Sequence, residues 1–140
     1  MKRHESLRPL SREHHESLIL ARLLRKDAPV YKGLPESLEG KVLYACEIFD
    51  HQLKAHFLQE EKIFSSLVQF HPTIIEMLET IRLEHQKLIE LFSNLAAGIY
   101  TPDTLDELGH YLESHIRKEE RQFFPFIESN CPESALNALL

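Results

Sequence analysis

Four long stretches of the chain carry apolar residues at alternating steps of three and four, the spacing that lines one side of an α-helix. They cover about residues 11–26, 37–70, 73–97 and 101–128. Helix breakers separate them: the Pro- and Gly-rich segment DAPVYKGLPE, the pair His71-Pro72, and Gly98. Because no stretch alternates as a strand does and the connections are short to moderate, the pattern predicts an all-α, up-down-up-down four-helix bundle. The segment NCPESALNALL could add a short C-terminal helix.

Length and charge limit the classes of protein to which the chain can belong. Its 140 residues suit one domain, predicted as 1–140 with a core over 8–128. A net charge of -6 without a Lys/Arg stripe argues against a nucleic-acid surface. No apolar run reaches the roughly 18 residues of a membrane span, and MKRHESLRPL lacks the apolar part of a signal peptide. With no CxxC spacing, Cys46 and Cys131 are expected to be reduced thiols in a cytoplasmic monomer or homodimer.

The apolar side of each predicted helix is interrupted at one level. The positions that line this side of a helix are called its seam here. In the first helix they are Leu7, Leu10, His14, Ser17, Ala21 and Leu24, and in the second Phe49, Leu53, His56, Glu60, Ile63 and Leu67. In the third they are Ile74, Leu78, Ile81, His85, Leu88, Phe92 and Leu95, and in the fourth Leu105, Leu108, Leu112, His115, Glu119, Gln122 and Phe126. Counted from the connecting loops, His56, His85 and His115 lie about 13 or 14 residues, or roughly 20 Å, into their helices. The chain therefore brings four histidines and two glutamates to one layer of the core.

Part of this pattern is an internal repeat. HFLQEEKIF in the second helix returns as HIRKEERQF in the fourth, and the weaker pair EHHESLI and EHQKLI links the first helix with the third. Six identities align between the second and fourth helices: His51, Leu53, His56, Glu60, Glu61 and Phe64 with His110, Leu112, His115, Glu119, Glu120 and Phe123. A bundle of two similar helix pairs would have pseudo-twofold symmetry.

Two buried carboxylates need a compensating charge. An isolated ionised carboxylate in a core costs several kcal/mol or more, and no Lys or Arg lies on the seams beside Glu60 or Glu119. A cation would compensate both and would use neutral imidazoles as ligands. Since helices two and four run in the same direction, the two carboxylates should lie together and bridge two metal ions. The predicted ligands are His14, His56, Glu60, His85, His115 and Glu119.

The other polar residues have less specific interpretations. A single buried histidine is usually only hydrogen-bonded, so it is the coincidence of four that favours metal. His15 lies on a mostly polar stripe and is expected to be exposed or to support a ligand. Glu61 and Glu120, one step off the seam, would orient ligands or face water. Surface, helix-end or tail positions are expected for His51, His110, His71 and His4.

These motifs resemble the hemerythrin family in its HHE cation-binding form. The matching pieces, in order along about residues 8–128, are EHH, HFLQEE, EHQKL and HIRKEERQFFPFI. The resemblance implies a four-helix bundle with a non-haem di-iron centre, the four histidines as terminal ligands and Glu60 and Glu119 as bridges. Two iron ions are the implied cofactor, although Mn or Zn could occupy the same donors.

The chain departs from the oxygen-carrying members of that family. They have a second histidine one turn after the third-helix ligand, where this chain has Ile89, and an aspartate bridge where it has Glu119. A fifth histidine ligand is therefore missing, with His15 the nearest candidate, and one or two coordination positions are left open.

Three functions are consistent with these residues. The first is a di-iron protein that binds or senses O2, NO or peroxide, or that handles iron. The second is a stress-response enzyme or an iron-sulfur repair protein, which would turn over with an electron donor that this sequence does not supply. The third is a metal-free helical interaction module.

Overall fold

The computed structural model describes residues 2–140, and all of the regular structure in them is helical. The first helix is Arg8–Leu23, the third is Pro72–Ala96 and the short fifth is Glu133–Asn137. The second helix runs from Leu38–Ile48 through a π-helical turn, Phe49–Leu53, to Lys54–Leu67 and a 3₁₀ turn, Val68–Phe70. The fourth runs from Pro102–Lys118 through a π-helical turn, Glu119–Phe123, to Phe124–Asn130. Residues 2–140 contain no strand, so the predicted all-α four-helix bundle with a short C-terminal helix is confirmed.

Local sequence signals set the helix ends. Ser37 caps the second helix by accepting a hydrogen bond from the Gly40 N–H. Thr101 and Thr104 form a capping box at the fourth, with Pro102 in its first turn. The first helix begins at Arg8, earlier than the predicted start near residue 11, because its first turn accepts Pro9 without losing a hydrogen bond.

The core consists of two apolar clusters on either side of the polar layer. The Phe92 cluster includes Leu20, Ala21, Leu53, Phe57, Leu88, Phe92, Leu112 and Ile116. The Phe64 cluster, at the end that holds both chain termini, includes Leu7, Leu10, Ile63, Phe64, Ile81, Phe123, Phe124 and Ile127. Both clusters draw on all four long helices, so their packing fixes the four helices at the level of the histidines between them.

One part of the predicted fourth seam is wrong. Gln122 is exposed and Phe126 only half-buried, whereas Phe123 and Ile127 are buried. The π-helical turn adds one residue to the helix there, which moves the inward-facing positions on by one. Pro125 lies just beyond this turn and has no N–H for the regular ladder, so the irregularity falls where the ladder is already broken.

The structure also bears on membrane insertion. Among residues 2–140, none of the helices combines the length and the apolar composition that a bilayer crossing requires.

Candidate metal centre

The six seam residues predicted as ligands lie together between the two apolar clusters. Each exposes at most 3% of its surface: His14, His56, His85, His115, Glu60 and Glu119. Their ligand atoms fall into two groups that share both glutamates, and within each group the atoms all lie within 4.8 Å of one another. Histidines from all four long helices therefore meet at one level, with a carboxylate from the second helix and another from the fourth.

The Glu60 carboxylate lies between two pairs of imidazoles. Its Oε2 is 2.9 Å from Nε2 of His14 and 3.1 Å from Nε2 of His56. Its Oε1 is 3.0 Å from Nε2 of His85 and 4.0 Å from Nε2 of His115. Each oxygen of one carboxylate thus faces a different pair of imidazoles.

The Glu119 carboxylate links the same two pairs. Its Oε1 is 3.1 Å from Nε2 of His14, in one pair, and 3.2 Å from Nε2 of His115, in the other. These separations are short, but the angles do not make hydrogen bonds: both oxygens of Glu119 lack a hydrogen-bond partner, as do Nε2 of His56 and of His115. Four unpartnered polar atoms in one buried layer are costly in a protein interior, and all four are of the type that binds a metal. The residues therefore fit a metal site.

A ring of outer carboxylates orients the four imidazoles. The Nδ1 of each histidine lies within hydrogen-bond distance of a glutamate from a neighbouring helix: His14 and Glu120 at 2.7 Å, His56 and Glu13 at 2.9 Å, His85 and Glu61 at 2.8 Å, His115 and Glu84 at 2.8 Å. The pairs join the first helix to the fourth, the fourth to the third, the third to the second and the second to the first. When each Nδ1–H donates to its carboxylate, the Nε2 lone pair points into the site, as a metal ligand requires.

Two members of this ring, Glu13 and Glu84, were not predicted from sequence. Each immediately precedes a seam histidine, His14 or His85, so each points toward the adjacent helix while the histidine points inward. The predicted orienting role of Glu61 and Glu120 has matching geometry. The available signal was the glutamate of each EH motif, but the sequence gives no reason to pair it with a histidine on another helix.

Basic residues neutralise part of the outer ring. The Lys118 ammonium contacts Glu84, and the Arg3 guanidinium donates to the Glu120 carboxylate at 3.3 Å. No Lys or Arg of residues 2–140 contacts Glu60 or Glu119 within 4.0 Å. The negative charge at the centre is consequently compensated only by histidines, or by a cation.

The negative charge of the central glutamates shifts the pKa values of the histidines around them. Burial would lower the pKa of His14, but contacts led by Glu119 outweigh it and raise the pKa to about 12. Burial is likewise outweighed at His56, where Glu60 raises the pKa to about 9, and at His115, where Glu119 raises it to about 10. Burial would raise the pKa of Glu60, yet His56 and its neighbours hold it well below its usual range. Since metal ligation needs neutral imidazoles, cations compete with protons here, and affinity should fall as pH is lowered.

Two aromatic rings cover the imidazoles. Phe57 stacks on His85 with a ring separation of 4.1 Å, and Phe124 stacks on His14 at 5.5 Å. Both phenylalanines are buried, at 2% and 0% exposure. They restrict the rotation of two ligands and exclude water from the sides of the site.

The remaining histidines lie away from this layer. His15 is exposed, as are His51 and His110. His15 is therefore not placed to serve as a fifth nitrogen ligand, and Ile89, at the position of the missing histidine, is itself 41% exposed. His71 caps the third helix through Nδ1, in agreement with its expected helix-end position.

His4 was expected in a disordered tail, and the structure places it differently. Its Nδ1 lies 2.7 Å from the Ser6 hydroxyl and its Nε2 lies 2.9 Å from the Glu133 carboxylate. Its backbone N–H donates to the Glu128 carboxylate. These contacts hold the start of the chain against its C-terminal end.

Glu84→Gln is expected to weaken metal affinity by about 10- to 100-fold, the usual cost of losing an outer carboxylate. The substituted amide would accept the His115 hydrogen bond without the charge that makes the imidazole more basic. Metal-binding titration against a competing chelator measures the change. Glu79→Gln, an exposed substitution on the same helix, is the matched control. Equal affinity for the Glu84 variant and the control would contradict a role for the outer ring.

The comparison with protein families agrees with this site. Residues 5–127 match the family model described as the Hemerythrin HHE cation binding domain. No curated protein and no solved structure matches the chain at a significant level.

Proposed function

The chain belongs to the hemerythrin HHE cation-binding family, and on that premise we propose that it is a non-haem di-iron protein that binds O2, NO or peroxide in its core, for sensing, binding or iron handling. Members of this family bind metal cations, and the buried His/Glu layer fits a metal site. The observation that carries the proposal is the Glu60 carboxylate, whose two oxygens face two separate imidazole pairs.

Two ions fit this donor set better than one. A single ion at either oxygen of Glu60 would use one imidazole pair and leave the Nε2 atoms of the other pair without a cation. Two divalent ions supply charge that both central carboxylates and the outer ring can compensate. Iron is the proposed metal because two imidazoles with a carboxylate at each ion make a set typical of non-haem iron sites with open positions.

The two central carboxylates lie on one side of the imidazole layer, which leaves the other side for a bound ligand. Glu60 lies one turn beyond His56 toward the Phe64 cluster, and Glu119 is placed in the same way beyond His115. A small ligand on the other side of the layer would then contact the Phe92 cluster, whose nearest members are apolar: Leu53, Phe57, Leu88, Leu112 and Ile116. This apolar lining excludes bulk water and favours small ligands.

The bound ions and the side chains around them would have separate roles. Bound iron supplies redox chemistry and affinity for small oxygen- and nitrogen-containing ligands. The outer carboxylates hold the imidazole tautomers, the stacked phenylalanines fix the rings, and the two apolar clusters keep the layer dry. The exposed Ile89, where oxygen carriers have a ligand, favours sensing or iron handling over reversible oxygen transport.

Nitric oxide binding tests the proposal. The iron-loaded, reduced protein is expected to bind NO with new visible absorption bands and a saturable titration, while metal-free protein shows neither change. Addition of a chemical reductant separates binding from catalysis, because continued NO consumption would favour the stress-response enzyme. A loaded protein whose spectrum is indifferent to NO, peroxide and O2 would contradict the proposal.

A further inference from the structure

We propose that the Ser17 hydroxyl donates a hydrogen bond to the small ligand that occupies the open side of the metal layer. The inference rests on the proposed function, because it assumes that loaded metal binds such a ligand. It assigns one polar contact, and hence a preference among ligands, to surroundings that are otherwise apolar.

Ser17 is a buried side chain without a hydrogen-bond partner. Its residue is 1% exposed, and its Oγ makes no hydrogen bond to any residue of the described chain 2–140. A helical serine commonly donates to the carbonyl four residues earlier, which this one does not. Leaving a hydroxyl unsatisfied in a core costs about 1–3 kcal/mol, so a ligand that accepts its proton would remove a real penalty.

The position of Ser17 places it on the open side. It lies three residues after His14, between that ligand and Leu20 and Ala21 of the Phe92 cluster. The equivalent positions on the other three helices, three residues from each ligand histidine in the same direction, are all leucine: Leu53, Leu88 and Leu112. Ser17 is thus the one polar member of a four-residue layer against the imidazoles.

Helix geometry directs this hydroxyl toward the metal layer. Side chains in an α-helix tilt toward its N-terminus, and in the first helix that direction leads from Ser17 to His14. Glu60 and Glu119 belong to helices that run the opposite way, and they enter the layer from the Phe64 side. The Ser17 side chain therefore lies on the side of the imidazole layer opposite the two carboxylates.

The ligand class follows from this single donor among apolar neighbours. It is a molecule of two or three heavy atoms that keeps a terminal nitrogen or oxygen lone pair after binding the metal. A second hydrogen bond is not offered by the leucines and Phe57 nearby, so larger polar ligands are disfavoured.

Azide is a suitable probe, because its terminal nitrogen accepts hydrogen bonds and its infrared stretch reports them. Ser17→Ala in the iron-loaded ferric protein is expected to raise the azide dissociation constant by about threefold to tenfold, the usual value of one hydrogen bond. Ser17→Thr and Ser17→Val form a matched pair of equal shape that differs by the hydroxyl. The Thr variant should bind azide more tightly than the Val variant, with a shifted azide stretch, at equal iron content.

A metal-free measurement completes the test. Without metal, Ser17→Ala should melt at or above the temperature of the wild-type protein, since it removes an unsatisfied hydroxyl. A melting temperature lowered by several degrees, or identical azide affinities for the Thr and Val variants, would overturn the role of Ser17 alone. A wild-type protein that loads iron but binds no azide, or loads none, overturns the proposed function and the Ser17 inference together.

Discussion

Glu60→Gln is expected to reduce metal content from about two ions per chain to less than about half an ion, the largest effect of any single substitution. Glutamine keeps the size of the side chain but has one neutral oxygen, so it cannot face both imidazole pairs with negative charge. Losing an outer carboxylate typically weakens affinity by about 10- to 100-fold, and losing the shared inner one should exceed that range. Elemental analysis of the purified variant, with far-ultraviolet circular dichroism to establish that the helices remain, measures the effect.

Glu47→Gln is the matched control for this variant. It makes the same chemical change on the same helix, but at an exposed position. The control should load metal as the wild-type protein does. If Glu60→Gln and Glu47→Gln loaded equally, the Glu60 carboxylate would not be a bridge and the account of the site would be wrong.

Removing metal is expected to lower the melting temperature by roughly 10–15 °C. A ligand present at about 1,000 times its dissociation constant stabilises the folded state by about 4 kcal/mol, and each kcal/mol shifts the melting temperature by a few degrees in a chain of this size. The physical origin is the central pair of buried carboxylates, which loses its cation. Differential scanning calorimetry before and after dialysis against a chelator, with metal then restored, measures the shift and its reversibility.

The difference in melting temperature between the metal-bound and the metal-free protein should widen as pH rises above neutral. In the metal-free protein, His56, His115 and His14 have pKa values raised to about 9, about 10 and about 12. A raised pKa stabilises the fold fully below the ordinary histidine value near 6.5, and this stabilisation is lost as pH rises through the folded-state values. Between pH 6 and 9 the metal-free protein should therefore weaken while metal affinity rises. A melting temperature that is unaffected by the chelator throughout this range would contradict a structural metal layer.

The layer of histidines and glutamates could be predicted from the sequence because its residues occupy regular positions in the helix seams. Four seams in register place His14, His56, His85 and His115 at one height, and no local alternative structure competes with such long amphipathic helices. The same regularity explains the error at Gln122 and Phe126, since a π-helical turn inserts one residue and leaves no mark in the hydrophobic pattern.

The outer ring could not be predicted for a different reason. Glu13 and Glu84 lie off the seam, where a glutamate usually faces water. Their partners are histidines on other helices, and that pairing depends on how far each helix is rotated about its axis. Only the packed bundle determines that rotation, whereas the inner ligands need just the spacing along each helix.

The metal content of the wild-type protein tests the central claim most directly. After expression with iron, elemental analysis should find about two irons per chain, together with near-ultraviolet charge-transfer bands of a coupled ferric pair. Less than about half an equivalent of any metal per chain, even after the protein is offered iron, manganese and zinc, would contradict the claim and leave the buried glutamates held by histidines alone.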